Sequence, residues 1–235
     1  MILYGRNAVR EALRGRRDVL RVWTAGGRDE DWPAGLDVRA GVEPAELEQL
    51  CGSASHQGVC AEAAPYPYVG AAELLARPDP VLVALDQVTD PQNLGAVCRT
   101  AECTGAAGVV LPERRSAEVT PAVCRASAGA VEHLLIARVR NLTDFLAQAQ
   151  QAGCWCYGAA AESGVPYDRP DYRGGVVLVL GSERRGLRPR VAGACDERVA
   201  LPLRGRVSSL NVSAAAAALL YEILQQREAA LDRTS

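Results

Sequence analysis

The sequence predicts an α/β protein: an open, largely parallel sheet with helices packed on both faces. Residues 81–85 (Val-Leu-Val-Ala-Leu) and 176–180 (Val-Val-Leu-Val-Leu) are unbroken apolar runs, the pattern of parallel strands buried on both sides. Around them, short apolar runs alternate with stretches of helical periodicity. Gly, Asn, Asp and Pro punctuate the joins between the two.

Taken in order, residues 7–16 are expected to be helical, because Val9, Ala12 and Leu13 recur at helix spacing. Residues 19–24 read as a strand and Asp29-Glu30-Asp31 as a charged loop. Pro44 suits the first turn of a helix ending near Cys51, and residues 57–62 form another short strand. This first unit covers 1–64. Pro65-Tyr-Pro-Tyr68, a short apolar helix at 71–76, Pro78 and Pro80 make 65–80 a proline-punctuated linker. The second unit covers 81–235. Its expected strands are 81–85, 108–111, 134–139, 155–158, 176–180 and 198–201. Its expected helices are 94–103, 121–126 behind a Thr120 cap and Pro121, 142–151, and a last one from near Ser208 to Arg227. No internal repeat is visible.

Composition narrows the chemistry. Hydrophobic residues at 49% and charged residues at 23% specify a chain that folds around a core. The formal net charge of −2 gives no global positive field, so any nucleic-acid contact falls to local groups. All 26 basic residues are arginine. This excludes a Schiff-base or Walker lysine and leaves phosphate recognition to guanidinium groups. The eight cysteines include no CxxC pair, and His56 and His133 lack partners at metal spacing, so no metal is expected. Met1-Ile2-Leu3 runs into polar residues without a signal peptide, and no apolar run reaches the roughly 20 residues of a membrane span. A reduced, cytoplasmic protein with structural thiols is expected.

In open α/β sheets, ligands bind beyond the carboxyl ends of the strands. Three such ends are chemically unusual. Residues 85–95 are polar and turn-rich, with Asn93 expected to cap a helix that projects Arg99 from its second turn. Gly181-Ser-Glu183-Arg-Arg-Gly186 follows the most apolar strand; Leu187-Arg188 stands where a P-loop needs Lys-Ser/Thr, so triphosphate binding is not expected. No GxGxxG follows a strand, which weakens a dinucleotide reading. Residues 201–213 pass through the basic turn Arg204-Gly205-Arg206 to Ser208, Ser209 and Asn211 at a helix start. Each loop alone also reads as an ordinary cap or solvated turn. Together they place Asn, Arg, Glu, Ser and Asn at the ends of strands expected to lie side by side.

Asn93-Leu-Gly-Ala-Val-Cys-Arg99-Thr-Ala-Glu102, Gly181-Ser-Glu183-Arg-Arg-Gly186-Leu, and Leu201-Pro-Leu with Ser208-Ser-Leu-Asn-Val-Ser213 resemble motifs 1, 2 and 3 of the SpoU (TrmH) branch of the SPOUT RNA 2′-O-methyltransferases. Tyr4-Gly5-Arg6-Asn7-Ala8-Val9 and His56-Gln57-Gly58-Val59 are similar to the L30e-like substrate-binding domain that precedes the catalytic domain in the 23S rRNA guanosine enzymes of this family. The resemblance implies a SPOUT α/β fold with a C-terminal deep trefoil knot, an obligate homodimer, and S-adenosyl-L-methionine as methyl donor. The donor positions carry over to Leu180, Gly181, Leu201, Pro202 and Leu210.

The same resemblance assigns the central catalytic role to Arg99. A guanidinium is not deprotonated in proteins, so Arg99 is expected to position the ribose and phosphate and stabilise the developing alkoxide. Glu183 would orient Arg99 or relay the proton; Asn93, Ser209 and Asn211 would fix the sugar and the loops. Arg184 stands where the family often has Gly, which leaves the conformation of that loop open. Expected RNA contacts are Arg14, Arg16, Arg17, Arg184, Arg185 and Arg206, with Arg188, Arg190 and Arg204 as further candidates. The implied reaction is 2′-O-methylation of a 23S rRNA guanosine. The alternatives are another rRNA nucleoside, a tRNA guanosine, or a non-catalytic RNA-binding module of ribosome assembly.

Overall fold

The apolar runs at 81–85 and 176–180 lie side by side in the middle of a seven-stranded sheet. The structure, a computed structural model, describes residues 1–26, 32–161, 164–182 and 185–231. The charged loop expected at 29–31 lies outside them. In chain order come β1 (Ile2–Tyr4), α1 (Arg6–Arg14), β2 (Val19–Thr24), β3 (Asp37–Arg39), α2 (Pro44–Cys51), β4 (Val59–Ala63) and α3 (Ala71–Leu75). Then follow β5 (Val81–Asp86), α4 (Pro91–Cys103), β6 (Gly108–Pro112), α5 (Pro121–Ala126), a 3-10 turn (Ala130–Glu132), β7 (Ile136–Val139) and α6 (Leu142–Gln151). The chain continues through β8 (Trp155–Ala160), β9 (Val165–Pro166), β10 (Val176–Gly181), α7 (Pro189–Ala192), β11 (Glu197–Ala200) and α8 (Val212–Leu231).

The first four strands form a sheet in the order β1-β4-β2-β3. The other seven form a sheet in the order β7-β6-β5-β10-β8-β11-β9, with every pairing parallel. All seven carboxyl ends therefore lie along one edge. Strand residues alternate between faces: Val83 and Leu85 join α4 and α8 through Leu94, Val97 and Leu219, while Leu82 and Ala84 join α3 and α6 through Leu74, Phe145 and Leu146. Burial on both faces explains why these strands are apolar at every position rather than at alternate ones.

Four expectations shift. The three loop-bearing strands are not all neighbours: β5 and β10 are adjacent, but β8 separates β10 from β11. Parallel neighbours are joined by long crossovers, so sequence order does not dictate lateral order. Helix α4 starts at Pro91, not Leu94. Asp90 is its cap, accepting from the Gln92 N–H at 2.9 Å, which leaves Asn93 buried in the first turn. Helix α8 starts at Val212 rather than near Ser208, because Asn211 is the cap: its Oδ1 accepts from the Ser213 N–H at 2.8 Å and its carbonyl from Ala215 at 3.0 Å. Ser208 and Ser209 stay in an exposed, non-helical approach. Finally, β1, β3, β9 and α7 were not foreseen; runs of two to four residues are too short to show a period.

Residues 65–80 pack onto the second sheet. The buried Tyr66 donates its hydroxyl hydrogen toward the carbonyls of Leu134 (2.7 Å) and Val131 (3.0 Å), and Val69 bridges Ala137. Among the described residues, no helix is long and apolar enough to cross a membrane.

Candidate active site

The carboxyl edge of the large sheet holds a cleft of about 480 Å³. Its walls come from Ala160 at the end of β8, Leu180 and Gly181 at the end of β10, and Leu201, Ser209 and Leu210 from the stretch between β11 and α8. Leu180 and Leu219 are buried, while Leu210 is 46% exposed. Of the five residues expected to hold the methyl donor, Leu180, Gly181, Leu201 and Leu210 border this cleft. Pro202 is exposed and does not line it.

Just after β10, the backbone at Ser182 and at Gly186 comes together. Ser182 and Gly186 form an isolated bridge, with the Gly186 N–H on the Ser182 carbonyl at 2.8 Å, and Gly186 has φ +61°. A Cβ at Gly181 would lie 2.1 Å from the Gly186 carbonyl carbon, so only glycine allows this closure. Asp86, fully buried at the end of β5 opposite Gly181, anchors the far side. It accepts from the Arg188 backbone N–H at 2.9 Å and from the Arg188 guanidinium at 2.7 Å. Sequence reasoning missed this clamp: Asp86 read as part of the polar loop after the strand and Arg188 as a candidate RNA contact. Its one signal was an acid terminating an apolar run.

Two asparagines join the first and third motifs. Asn211 Nδ2 donates to Asn93 Oδ1 at 3.0 Å, and Asn93 Nδ2 donates to Asp90 at 3.3 Å. Asn211 Oδ1 also accepts the Ser213 hydroxyl at 2.6 Å. Both amides are thereby fixed in orientation, and the first turns of α4 and α8 are tied together. Arg99 is elsewhere. It lies six residues, roughly 240° of helix, from Asn93. It is exposed and lines no cleft described here. Glu183 and Arg184 lie outside the described residues.

The arginines divide by environment. Arg185 borders the cleft, and Arg16 and Arg206 are exposed. Arg14 is exposed and pairs with Glu11 at 3.3 Å. Arg17, expected on the RNA path, is corrected to the interior: it is 6% exposed and pairs with the buried Glu132, including an Nε–Oε2 bond of 2.9 Å. Burial by itself works against its charge, and Glu132 together with the neighbouring Cys124 more than offsets that, so its pKa rises. Among the described residues, no group of three or more His, Cys, Asp or Glu is arranged to hold a metal ion.

This geometry is that of known proteins. A profile of the SpoU rRNA Methylase family matches residues 80–221, and one for RNA 2′-O ribose methyltransferase substrate binding matches residues 2–69. The 23S rRNA (guanosine-2′-O-)-methyltransferase RlmB of Pseudomonas syringae is 39% identical over 97% of this chain and 96% of its own length. An uncharacterized tRNA/rRNA methyltransferase of Synechocystis is 39% identical over 96% of this chain, which spans 62% of that longer protein. Among solved structures, the SpoU methyltransferase AviRb from Streptomyces viridochromogenes superposes with a TM-score of 0.83 at 26% identity, covering 98% of this chain and 90% of AviRb. The AdoMet-bound rRNA methyltransferase from Sinorhizobium meliloti gives 0.81 at 26% identity, covering 95% of this chain and 86% of that one.

Proposed function

Since the chain belongs to the SpoU rRNA methylase family, we propose that it methylates the ribose 2′-oxygen of a guanosine in 23S rRNA, using S-adenosyl-L-methionine. The near full-length match to the Pseudomonas guanosine enzyme, across both the substrate-binding and the methylase regions, carries this reading. The tRNA/rRNA naming of other relatives keeps tRNA as the alternative substrate. A non-catalytic module has no support among these relatives.

The cleft fits the donor. Its volume of about 480 Å³ lies within the range of small-ligand pockets, apolar and polar groups share its walls about equally, and Gly181 presents no side chain to it. When bound, the donor supplies an electrophilic methyl group. Leu180, Gly181, Leu201 and Leu210 hold it, with Pro202 bending the chain beside them. Asn93 and Asn211, locked amide to amide, hold the acceptor ribose, with Ser209 at the rim. Arg99 stays charged, positions the ribose and its phosphate, and stabilises negative charge growing on the 2′-oxygen. Glu183 orients Arg99 or takes up the proton. Arg14, Arg16, Arg184, Arg185 and Arg206 contact RNA.

The architecture in this reading is an L30e-like substrate-binding domain (1–64), a linker (65–80) and a knotted methyltransferase domain (81–235). The return of α8 from β11, near one end of the sheet, to pack on α4 behind β5 supports the knot. The protein works as a cytoplasmic homodimer through α4 and α8. Tyr221, 54% exposed on α8, supports that face. Arg99 borders neither of the two clefts at this edge among the described residues, which supports its acting at the site of the second copy.

The test is labelled methyl transfer to unmodified total RNA, with the 2′-O-methyl position mapped. A 23S guanosine is expected; label confined to tRNA would move the substrate, and no transfer would sink the reading. Arg99→Ala and Asn211→Ala proteins should each be inactive alone and regain activity when mixed as hybrid dimers. Full activity in folded Arg99→Ala protein would remove Arg99 from the mechanism.

A further inference from the structure

A second cleft of about 460 Å³ opens beside the first and shares Ser182, Arg185 and Val212 with it. Its remaining walls come from the loop after β5, with Gln87 and Asp90, from Asn93 in the first turn of α4, and from Arg115 in the loop after β6. In the sheet, β5 lies between β6 and β10, so Arg115 and Arg185 flank the β5 loop from opposite sides. The Arg115 loop is braced along its length. The Ala117 N–H donates to the Val88 carbonyl at 2.8 Å, the Val119 N–H to the Tyr68 hydroxyl oxygen at 2.8 Å, and Glu118 pairs with Arg138 at 2.9 Å.

Within this braced frame, two side-chain-bearing residues hold left-handed backbone: Gln87 at φ +61° and Arg115 at φ +57°. That conformation is unfavourable for both and persists only where the surroundings impose it; such residues gather at ligand sites. The charges point the same way. Arg14, Arg138 and Arg188 are each paired with a carboxylate, whereas neither Arg115 nor Arg185 has an acceptor among the described residues. Asp90 is the one acid among the described lining residues, and its oxygens already accept from the Gln92 N–H and Asn93.

We infer that this second cleft holds the acceptor nucleotide and that Arg115 is a phosphate-contacting residue within it, working with Arg185 across the β5 loop. The assignment rests on the methyl-transfer reading above and adds residues to it. The ligand class is single-stranded RNA, which presents a ribose between two phosphodiesters to two guanidiniums set on either side of the loop. Asn93, which borders this cleft and is bonded to Asn211, ties it to the donor cleft.

The experiment uses the full-length protein with an unmodified RNA transcript and saturating S-adenosyl-L-methionine. It compares Arg115→Ala with Arg114→Ala, an exposed neighbour that does not line the cleft. Arg115→Ala should raise KM for RNA roughly tenfold and reduce the steepness of the logarithmic salt dependence of RNA binding by about one, with donor affinity unchanged. Arg114→Ala should change little, and Arg115→Lys should keep most of the salt dependence. Unchanged RNA affinity and salt slope in Arg115→Ala would overturn the assignment, as would equal losses in Arg114→Ala. A wild-type protein that binds RNA but transfers no methyl group would sink the methyl-transfer reading and leave the Arg115 comparison readable from binding alone.

Discussion

Asp86 is fully buried, and two groups of Arg188 satisfy it. Removing one partner of such a pair differs from removing the other. In Arg188→Ala the carboxylate stays buried with only a backbone N–H, and a loss of roughly 2–3 kcal/mol is expected. Asp86→Ala frees a guanidinium that is 45% exposed and returns to water, so it should cost less. Chemical denaturation of the two variants tests the order; equal costs would mean that the loop is not held by this clamp. The same asymmetry explains why Arg188 was misread from sequence. Its charge suggested phosphate, and only the packed end of β5 supplies the acid that claims it.

At the scale of the element, α4 and α8 meet at their first turns. Asn211 has two tasks, the cap of α8 and the bond to Asn93. Asn211→Ser keeps a capping oxygen but loses the reach to Asn93, whereas Asn211→Ala loses both. Thermal melts should place Asn211→Ser within a few tenths of a kcal/mol of wild type and Asn211→Ala about 1 kcal/mol below it. Both should lose methyl transfer. Activity retained in Asn211→Ser would confine Asn211 to capping. The sequence named Ser208, Ser209 and Asn211 as capping candidates. Three oxygens within four residues can each serve, and packing of Val212 under the helix selects Asn211.

Across the whole molecule, one apolar cluster joins the first unit to the second: Leu3, Val9 and Ala61 pack with Val123, Val131 and Leu134. The buried Arg17–Glu132 pair lies in the same region and connects residues from opposite sides of segment 65–80. The two units are therefore expected to unfold in one transition. Arg17→Ala should cost roughly 3–5 kcal/mol by stranding Glu132, while the double variant Arg17→Met with Glu132→Leu should recover most of that loss. Denaturant unfolding followed by tryptophan fluorescence checks both. Separate transitions in wild type would mean that the units fold independently.

By itself the sequence determined the class of fold, most element positions and the family, because these depend on patterns within a few residues. Apolar runs mark doubly buried strands, Pro and Asn mark helix starts, and the three motifs carry their chemistry in their own letters. Tertiary structure alone decided which strands are neighbours, with β8 between β10 and β11. It also decided which arginines remain available: Arg17 is neutralised in the core and Arg188 at Asp86, whereas Arg115, unremarkable in sequence, borders a cleft with no acceptor among the described residues. Lateral strand order and charge pairing both join residues distant in the chain: Arg17 and Glu132 are 115 positions apart, Asp86 and Arg188 102. Only the fold sets the desolvation of the buried carboxylates, Glu132 and Asp86, that makes these arginines their partners.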